Sequence, residues 1–166
     1  YVIENKTNIV KKIELLNERK VDILLSKKIT DIFQDSNNKI WIGTESGLFK
    51  YDINTKQFKE FATSNGLPSN LIYSMEEDNS GVLWISTSNG LASLNLKNNL
   101  IKIYDNNSGI LFNQFNYKSS FKDREGYLYF GGIKGLIKFK TENFIKDTFH
   151  PALYITSVQL ANGQNI

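Results

Sequence analysis

Three stretches of this chain superpose on one another without a gap: residues 35–52, 78–95 and 123–140. Asp35, Asp78 and Asp123 open them at spacings of 43 and 45 residues. Trp41, Trp84 and Tyr129 keep the same spacings, and so do Gly47, Gly90 and Gly135. Such a repeat constrains the fold strongly, because each unit must bury its apolar surface on a copy of itself. A period of about 40–50 residues in short β-rich segments is that of propeller blades. The expected fold is all-β: a partial β-propeller of about three to four blades, each a four-stranded antiparallel sheet, with the ring not closed within this chain.

Each unit parses into four strands. In the first, residues 28–34 read as the inner strand, 39–44 as the second, 48–52 as the third and 57–61 as the outer one. The second unit repeats this at 71–77, 82–87, 91–95 and 100–104. Asp35-Ser36-Asn37-Asn38 is a turn, since these side chains hydrogen-bond their own backbone. Gly47 serves the next turn, where a positive φ is needed. The second strands, Ile40-Trp41-Ile42 and Val82-Leu83-Trp84-Ile85, are apolar on both faces, as strands sandwiched between neighbouring sheets should be. The outer strands alternate or nearly so, as edges facing water do.

The third unit has an inner strand at 116–122, a second at 127–132 and a third at 136–140. It then runs through 141–150 without a clear outer strand, which a latching N-terminus would supply. Residues 1–3 and 9–14 look like the last two strands of a preceding blade. After Pro151 the pattern changes, and 152–160 alternates as one strand of a further β-domain. The expected organisation is outer strands of a truncated blade over 1–27, blades over 28–70 and 71–114, a last blade with linker over 115–150, and the opening strand of the next domain over 151–166.

Composition narrows the chemistry. The 166 residues include no Cys and a single His, His150, which removes disulfides, thiolate nucleophiles and multi-His metal sites. No cofactor is expected. The net charge is +3, all of it within residues 1–28, and Lys residues lie among acids without an Arg-rich face, so no nucleic-acid partner is expected. No apolar run reaches the ~18–20 residues of a membrane span.

The string Ile40-Trp-Ile-Gly-Thr-Glu-Ser-Gly-Leu48 after Asp35 resembles the two-component regulator propeller repeat. Residues 83–91 resemble it too, with Ser86 where Gly is usual, and the third unit departs by Tyr129 for Trp and Gly132 for Thr. The tail 151–160, Pro-Ala-Leu-Tyr-Ile-Thr-Ser-Val-Gln-Leu, resembles the entry to the Tyr-rich, Ig-like domain that follows such propellers. The resemblance implies a periplasmic sensor region of a hybrid two-component protein. It also implies an oligosaccharide ligand from polysaccharide breakdown, a histidine kinase elsewhere in the protein, and a homodimer at full length.

No catalytic constellation is evident, and the chain is not expected to be an enzyme. Glu76-Glu77-Asp78 could offer paired carboxylates, but strand alternation sets Glu76 and Glu77 on opposite faces, so a turn with surface charge is the preferred reading. Gly131-Gly132-Ile133-Lys134-Gly135 joins two strands and lacks the helix of a phosphate cradle. Trp41 and Trp84 could stack on sugars, but their repeated position favours packing between blades. Asp35, Trp41, Gly47, Asp78, Trp84, Gly90, Asp123, Tyr129 and Gly135 are therefore read as scaffold.

Ligand candidates are the non-repeating loop residues, because loops carry function on a rigid scaffold. The turns between second and third strands bring Glu45, Ser46, Ser88, Asn89, Ile133 and Lys134 to one rim. The connections between blades bring Asn65, Asn70, Asn113, Gln114 and Tyr117. Amides, hydroxyls and an aromatic ring suit sugar hydroxyls; Lys134 suits a carboxylate or sulfate. Two rival functions are a propeller-fold polysaccharide lyase or hydrolase, and a protein-interaction propeller. The first needs clustered acids or metal ligands, and the second usually shows Trp-Asp pairs, which this chain lacks.

Overall fold

The computed structural model describes residues 22–110 and 112–143, together with residues 2–3, 10–11 and 16. The strands are β1 (Val2–Ile3), β2 (Val10–Lys11), β3 (Ile29–Gln34), β4 (Ile40–Thr44), β5 (Gly47–Asp52) and β6 (Gln57–Phe61). They continue with β7 (Ile72–Glu77), β8 (Val82–Thr87), β9 (Gly90–Asn95), β10 (Ile101–Tyr104), β11 (Phe115–Lys122), β12 (Leu128–Gly132) and β13 (Gly135–Phe139). β3-β4-β5-β6 and β7-β8-β9-β10 form two four-stranded meanders, and β11-β12-β13 a three-stranded one. Every pairing is antiparallel. The expected strands are therefore present to within a residue or two at each end. β1 and β2 also pair antiparallel, ahead of the first full sheet. The tail at 152–160 and His150 lie outside the described residues.

The sheets stack face to face, which is why their middle strands are apolar throughout. β8 and β9 are buried along nearly their whole length. Trp41, Leu48 and Phe61 of the first sheet pack on Ile72, Met75, Leu83, Ile85, Ala92 and Leu94 of the second. Trp84 and Leu91 of the second pack on Phe112, Phe115, Leu128 and Phe130 of the third. The other face of the first sheet, with Ile42 and Phe49, is covered by Ile23 and Leu24. The Trp residues are thus interior packing groups, 0% and 3% exposed.

One device closes each unit. Asp35 accepts the backbone N–H groups of Asn37 and Lys39 on Oδ1 and the indole Nε1–H of Trp41 on Oδ2, at 2.9, 2.8 and 2.8 Å. Asp78 does the same with Ser80 and Val82 at 2.8 and 3.0 Å, and with Trp84 at 3.0 Å. Asp123 does it with Glu125 and Tyr127 at 3.0 and 2.8 Å, and takes the Tyr129 hydroxyl at 2.8 Å. A buried aromatic donor needs a partner, and an aspartate at the head of the turn supplies it without leaving its own charge unsolvated. The Tyr129 replacement keeps a donor in the same place.

The turn between second and third strands is also built alike. Thr44 Oγ1 donates to the Gly47 carbonyl at 2.8 Å and accepts the Ser46 N–H; Thr87 repeats this with Gly90 and Asn89. Gly47 and Gly90 sit at φ of 137° and 104°, which L side chains rarely adopt. In the third unit Gly132 stands in place of Thr because Phe112 fills that space; a Cβ there would run into its ring.

Burial pushes the Asp78 carboxyl up, but hydrogen bonds from Ser80, Trp84 and the Val82 N–H outweigh it and hold it below the ordinary 3.8. A depressed carboxylate contributes stability that is full above the unfolded value and is lost as pH falls through the native one. Asp78→Ala, which strands the Trp84 and Val82 donors, is expected to cost roughly 3 kcal/mol in urea unfolding at pH 7. The deficit should shrink below about pH 4, where wild type loses the same contribution.

Candidate rim site

The 2–3 turns and the connections between sheets share one rim, as expected. The Glu45 N–H donates to the Lys28 carbonyl, Ser88 to Leu71, and Ile133 to Gln114. Several of the proposed ligand residues nevertheless use their side chains within the scaffold. Asn70 Oδ1 accepts the Thr63 N–H at 2.8 Å, and Asn65 Oδ1 the Ala62 N–H at 3.0 Å. The Ser88 hydroxyl pairs with that of Ser69 at 2.7 Å, and Asn89 Nδ2 donates to the Pro68 carbonyl at 3.4 Å. Ser46 Oγ accepts Lys27 Nζ at 3.0 Å. These contacts close turns around the rim, a role that short polar side chains in loops often take.

The remaining candidates gather in two places. Asn113, Gln114, Ile133 and Lys134 line one hollow of about 270 Å³ with Asn106 and Phe112. The buried Oδ1 of Asn113 has no hydrogen-bond partner among the described residues. Glu45 and Tyr117 meet elsewhere on the rim: the Tyr117 hydroxyl donates to Glu45 Oε1 at 3.2 Å, and Lys28 pairs with the same oxygen at 2.8 Å. Lys28 also sits 5.3 Å from the Tyr117 ring centre, and Tyr73 meets that ring edge-on at 4.7 Å. Hydrogen bonding to Lys28 lowers the Glu45 carboxyl, and the Glu45 contact raises Lys28. Burial raises the Tyr117 phenol, with Glu45 adding to it.

Tyr117 reaches Glu45 through an irregularity that spacing alone did not locate. Ile29, Ile72 and Phe115 pair with Thr44, Thr87 and Gly132 at the same register position, and lie 43 residues apart. The two residues that lengthen the third repeat to 45 therefore fall inside β11, where pairing slips between Phe115 and Ser120. Lys118 there has φ of 50°. The resulting bulge pushes Asn116, Tyr117 and Lys118 out to solvent. The signal available in the sequence was the change in period between the aspartates.

The acidic run needs a correction. Glu77 is buried, not a surface charge: its carboxylate takes the Ser36 N–H at 2.7 Å and the Ser36 hydroxyl at 2.6 Å, tying the first sheet's turn to the second sheet. Glu76, on the opposite face, accepts the Ser120 hydroxyl at 3.3 Å. Asp31 accepts the Met75 N–H at 2.9 Å. These inner-strand carboxylates bridge neighbouring sheets. Periodicity could not show this, because a turn in one unit meets a strand end in the next. Among the described residues no group of three or more His, Cys, Asp or Glu side chains is placed to hold a metal.

The family described as Two component regulator propeller matches residues 23–46 and 66–89, the inner and second strands of the first two units. Those two segments each match the two-component regulator propeller repeat. A histidine kinase of Formosa agariphila is 32% identical over 134 residues, 81% of this chain and 7% of that protein. The crystallised extracellular domain of a B. thetaiotaomicron protein assigned as a hybrid two component system superposes with TM-score 0.72 at 28% identity, covering 80% of this chain and 18% of that one. A second such domain from B. thetaiotaomicron gives TM-score 0.57 at 20% identity over 83% of this chain and 21% of that one, a likeness of fold alone. So does virginiamycin B lyase of Staphylococcus aureus, at 0.55 and 13%, covering 80% of this chain and 45% of the lyase. The chain thus spans 7% of the histidine kinase and less than half of each solved structure it matches.

Burial raises the Glu76 carboxyl above its ordinary value, and Asp31 nearby adds to this. A raised carboxyl pKa favours the native state below it and costs stability as pH rises through it. Glu76→Gln is therefore expected to gain stability relative to wild type as pH climbs from 4 to 8 in a series of urea midpoints. A constant difference over that range would contradict the assignment.

Proposed function

We propose that this chain is part of the extracytoplasmic sensor region of a hybrid two-component protein, periplasmic in location, which binds oligosaccharide fragments and passes the signal to a histidine kinase. The observation that carries the reading is the superposition at TM-score 0.72, over 80% of this chain, on an extracellular domain that its own name assigns to such a system. The 32% identity to a histidine kinase points the same way. Support for a small polar ligand comes from the rim. Asn113, Gln114 and Lys134 line a single hollow with the ring of Phe112, a mix of amides, a cation and an aromatic ring suited to sugar hydroxyls and to an acidic group. None of these residues belongs to the repeated scaffold, so they are free to differ between proteins that sense different sugars.

Calorimetry of the intact ectodomain against a panel of neutral and acidic oligosaccharides tests this. At least one sugar is expected to bind, and Lys134→Ala or Gln114→Ala is expected to weaken it tenfold or more without moving the thermal midpoint. Asn70→Ala, whose side chain caps a turn, is expected to lower the midpoint instead. Binding that is unaffected by the two rim variants would move the site elsewhere on the propeller. No binding across the panel would remove the carbohydrate reading.

A further inference from the structure

The connections into the second and third sheets are built on one plan and end differently. A helical turn, Thr63–Asn65 or Asn106–Ser108, leads to Gly66 or Gly109 at φ of 99° or 84°. The Leu67 N–H then closes on the Ala62 carbonyl, and the Ile110 N–H on that of Asp105. A step of 43 residues carries Thr63 to Asn106, Ser69 to Phe112, Asn70 to Asn113 and Leu71 to Gln114. On the facing turn a step of 45 carries Ser88 to Ile133 and Asn89 to Lys134. The backbone agrees with this match, since the Ser88 N–H donates to Leu71 and the Ile133 N–H to Gln114.

At the first junction polar side chains shut this space. Asn70 Oδ1 accepts the Thr63 N–H, the Ser69 and Ser88 hydroxyls pair, and Asn89 donates to the Pro68 carbonyl. At the second junction Phe112 and Ile133 stand in place of the two serines and cannot pair as they do. Phe112 lies over Gly132, where a Cβ would meet its ring, and the hollow of about 270 Å³ is left open. Asn113 keeps the capping residue without the bond. Its Oδ1 is buried and has no hydrogen-bond partner among the described residues, yet its main chain is held, the carbonyl accepting the Gly90 N–H at 2.9 Å. A buried acceptor left unpaired costs more than an ordinary hydrogen bond gains, so a donor from outside removes a penalty as well as adding a contact. Lys134, which replaces the Asn89 amide, lines the same hollow and joins none of the ion pairs among the described residues. Resting on the sensor reading above, we propose that the hollow between the second and third sheets is a subsite for one acidic sugar residue, with Asn113 Oδ1 accepting a ring hydroxyl and Lys134 taking the carboxylate or sulfate. The ligand thus completes the cap that the chain makes for itself at the first junction. An acceptor and a cation in one hollow select a sugar that carries both a hydroxyl and an anion, and a neutral sugar leaves the ammonium unused.

Thermal unfolding of the intact ectodomain without ligand separates the two asparagines. Asn70→Leu and Asn70→Ala break a bond within the chain and are expected to lower the midpoint. Asn113→Leu and Asn113→Ala remove an unpaired amide and are expected to lower it less, or to raise it. Equal losses at the two positions would make Asn113 a structural cap and overturn the proposal, with the sensor reading untouched. Calorimetry of the same protein then uses oligogalacturonides, sulfated galacto-oligosaccharides and neutral xylo-oligosaccharides as probes. One of the two acidic series is expected to bind at least tenfold more tightly than the neutral one, and which of them does so tells a carboxylate from a sulfate. Asn113→Leu is expected to weaken that series tenfold or more, and Lys134→Ala to bring it down to the neutral level. Neutral sugars that bind as tightly as both acidic series would overturn the acidic subsite and leave the sensor reading standing. An absence of binding in all three series would remove both.

Discussion

The structure rests on an aspartate placed where one sheet strand turns into the next. One carboxylate oxygen gathers the turn's N–H groups, and the other holds the polar edge of the aromatic ring that fills the space between blades. Each half needs the other. The ring can be buried only because its donor is satisfied, and the carboxylate can be buried only because it receives several hydrogen bonds. With ring and turn locked together, the second strand has a fixed register against the first, and the apolar faces of successive sheets meet at a constant depth.

Upon that repeated frame the departures acquire meaning. Gly132 in place of Thr makes room for Phe112, which both packs against Phe115 at 5.4 Å and lines the rim hollow. The two extra residues of the third repeat are absorbed by a bulge in its inner strand, and the bulge carries Tyr117 across to Glu45 of the first blade. Ser86, standing where Gly is usual, bonds the Ser74 hydroxyl at 2.7 Å in a fully buried pair. A scaffold of identical units needs such irregularities if one face is to recognise a particular ligand, because identical units present identical surfaces.

Much of the fold was legible in the sequence. Strand positions, the apolar middle strands and the packing role of Trp41 and Trp84 all follow from spacing and binary pattern, because a repeated unit reports its own boundaries several times over. The rim was legible as a place but not as a set of side chains. Asn65 and Asn70 read as ligand candidates and accept backbone N–H groups, and Ser88 bonds the Ser69 hydroxyl, since whether a polar side chain faces a neighbour or solvent depends on loop conformation rather than on its type. The acidic run at 76–78 read as surface charge, yet Glu77 is buried against Ser36, 41 residues away.

By itself the sequence determined the repeat, its period and the residues that recur, and with them an all-β stack of antiparallel sheets. It did so because close packing between copies demands the same residue types at the same offsets. The tertiary structure alone decided which partners those residues meet: the indole N–H on the aspartate, the Ser36 turn on Glu77, and the insertion confined to β11. Contacts between units depend on the rotation from one blade to the next. That rotation is a property of the packed sheets, and no single stretch of chain encodes it.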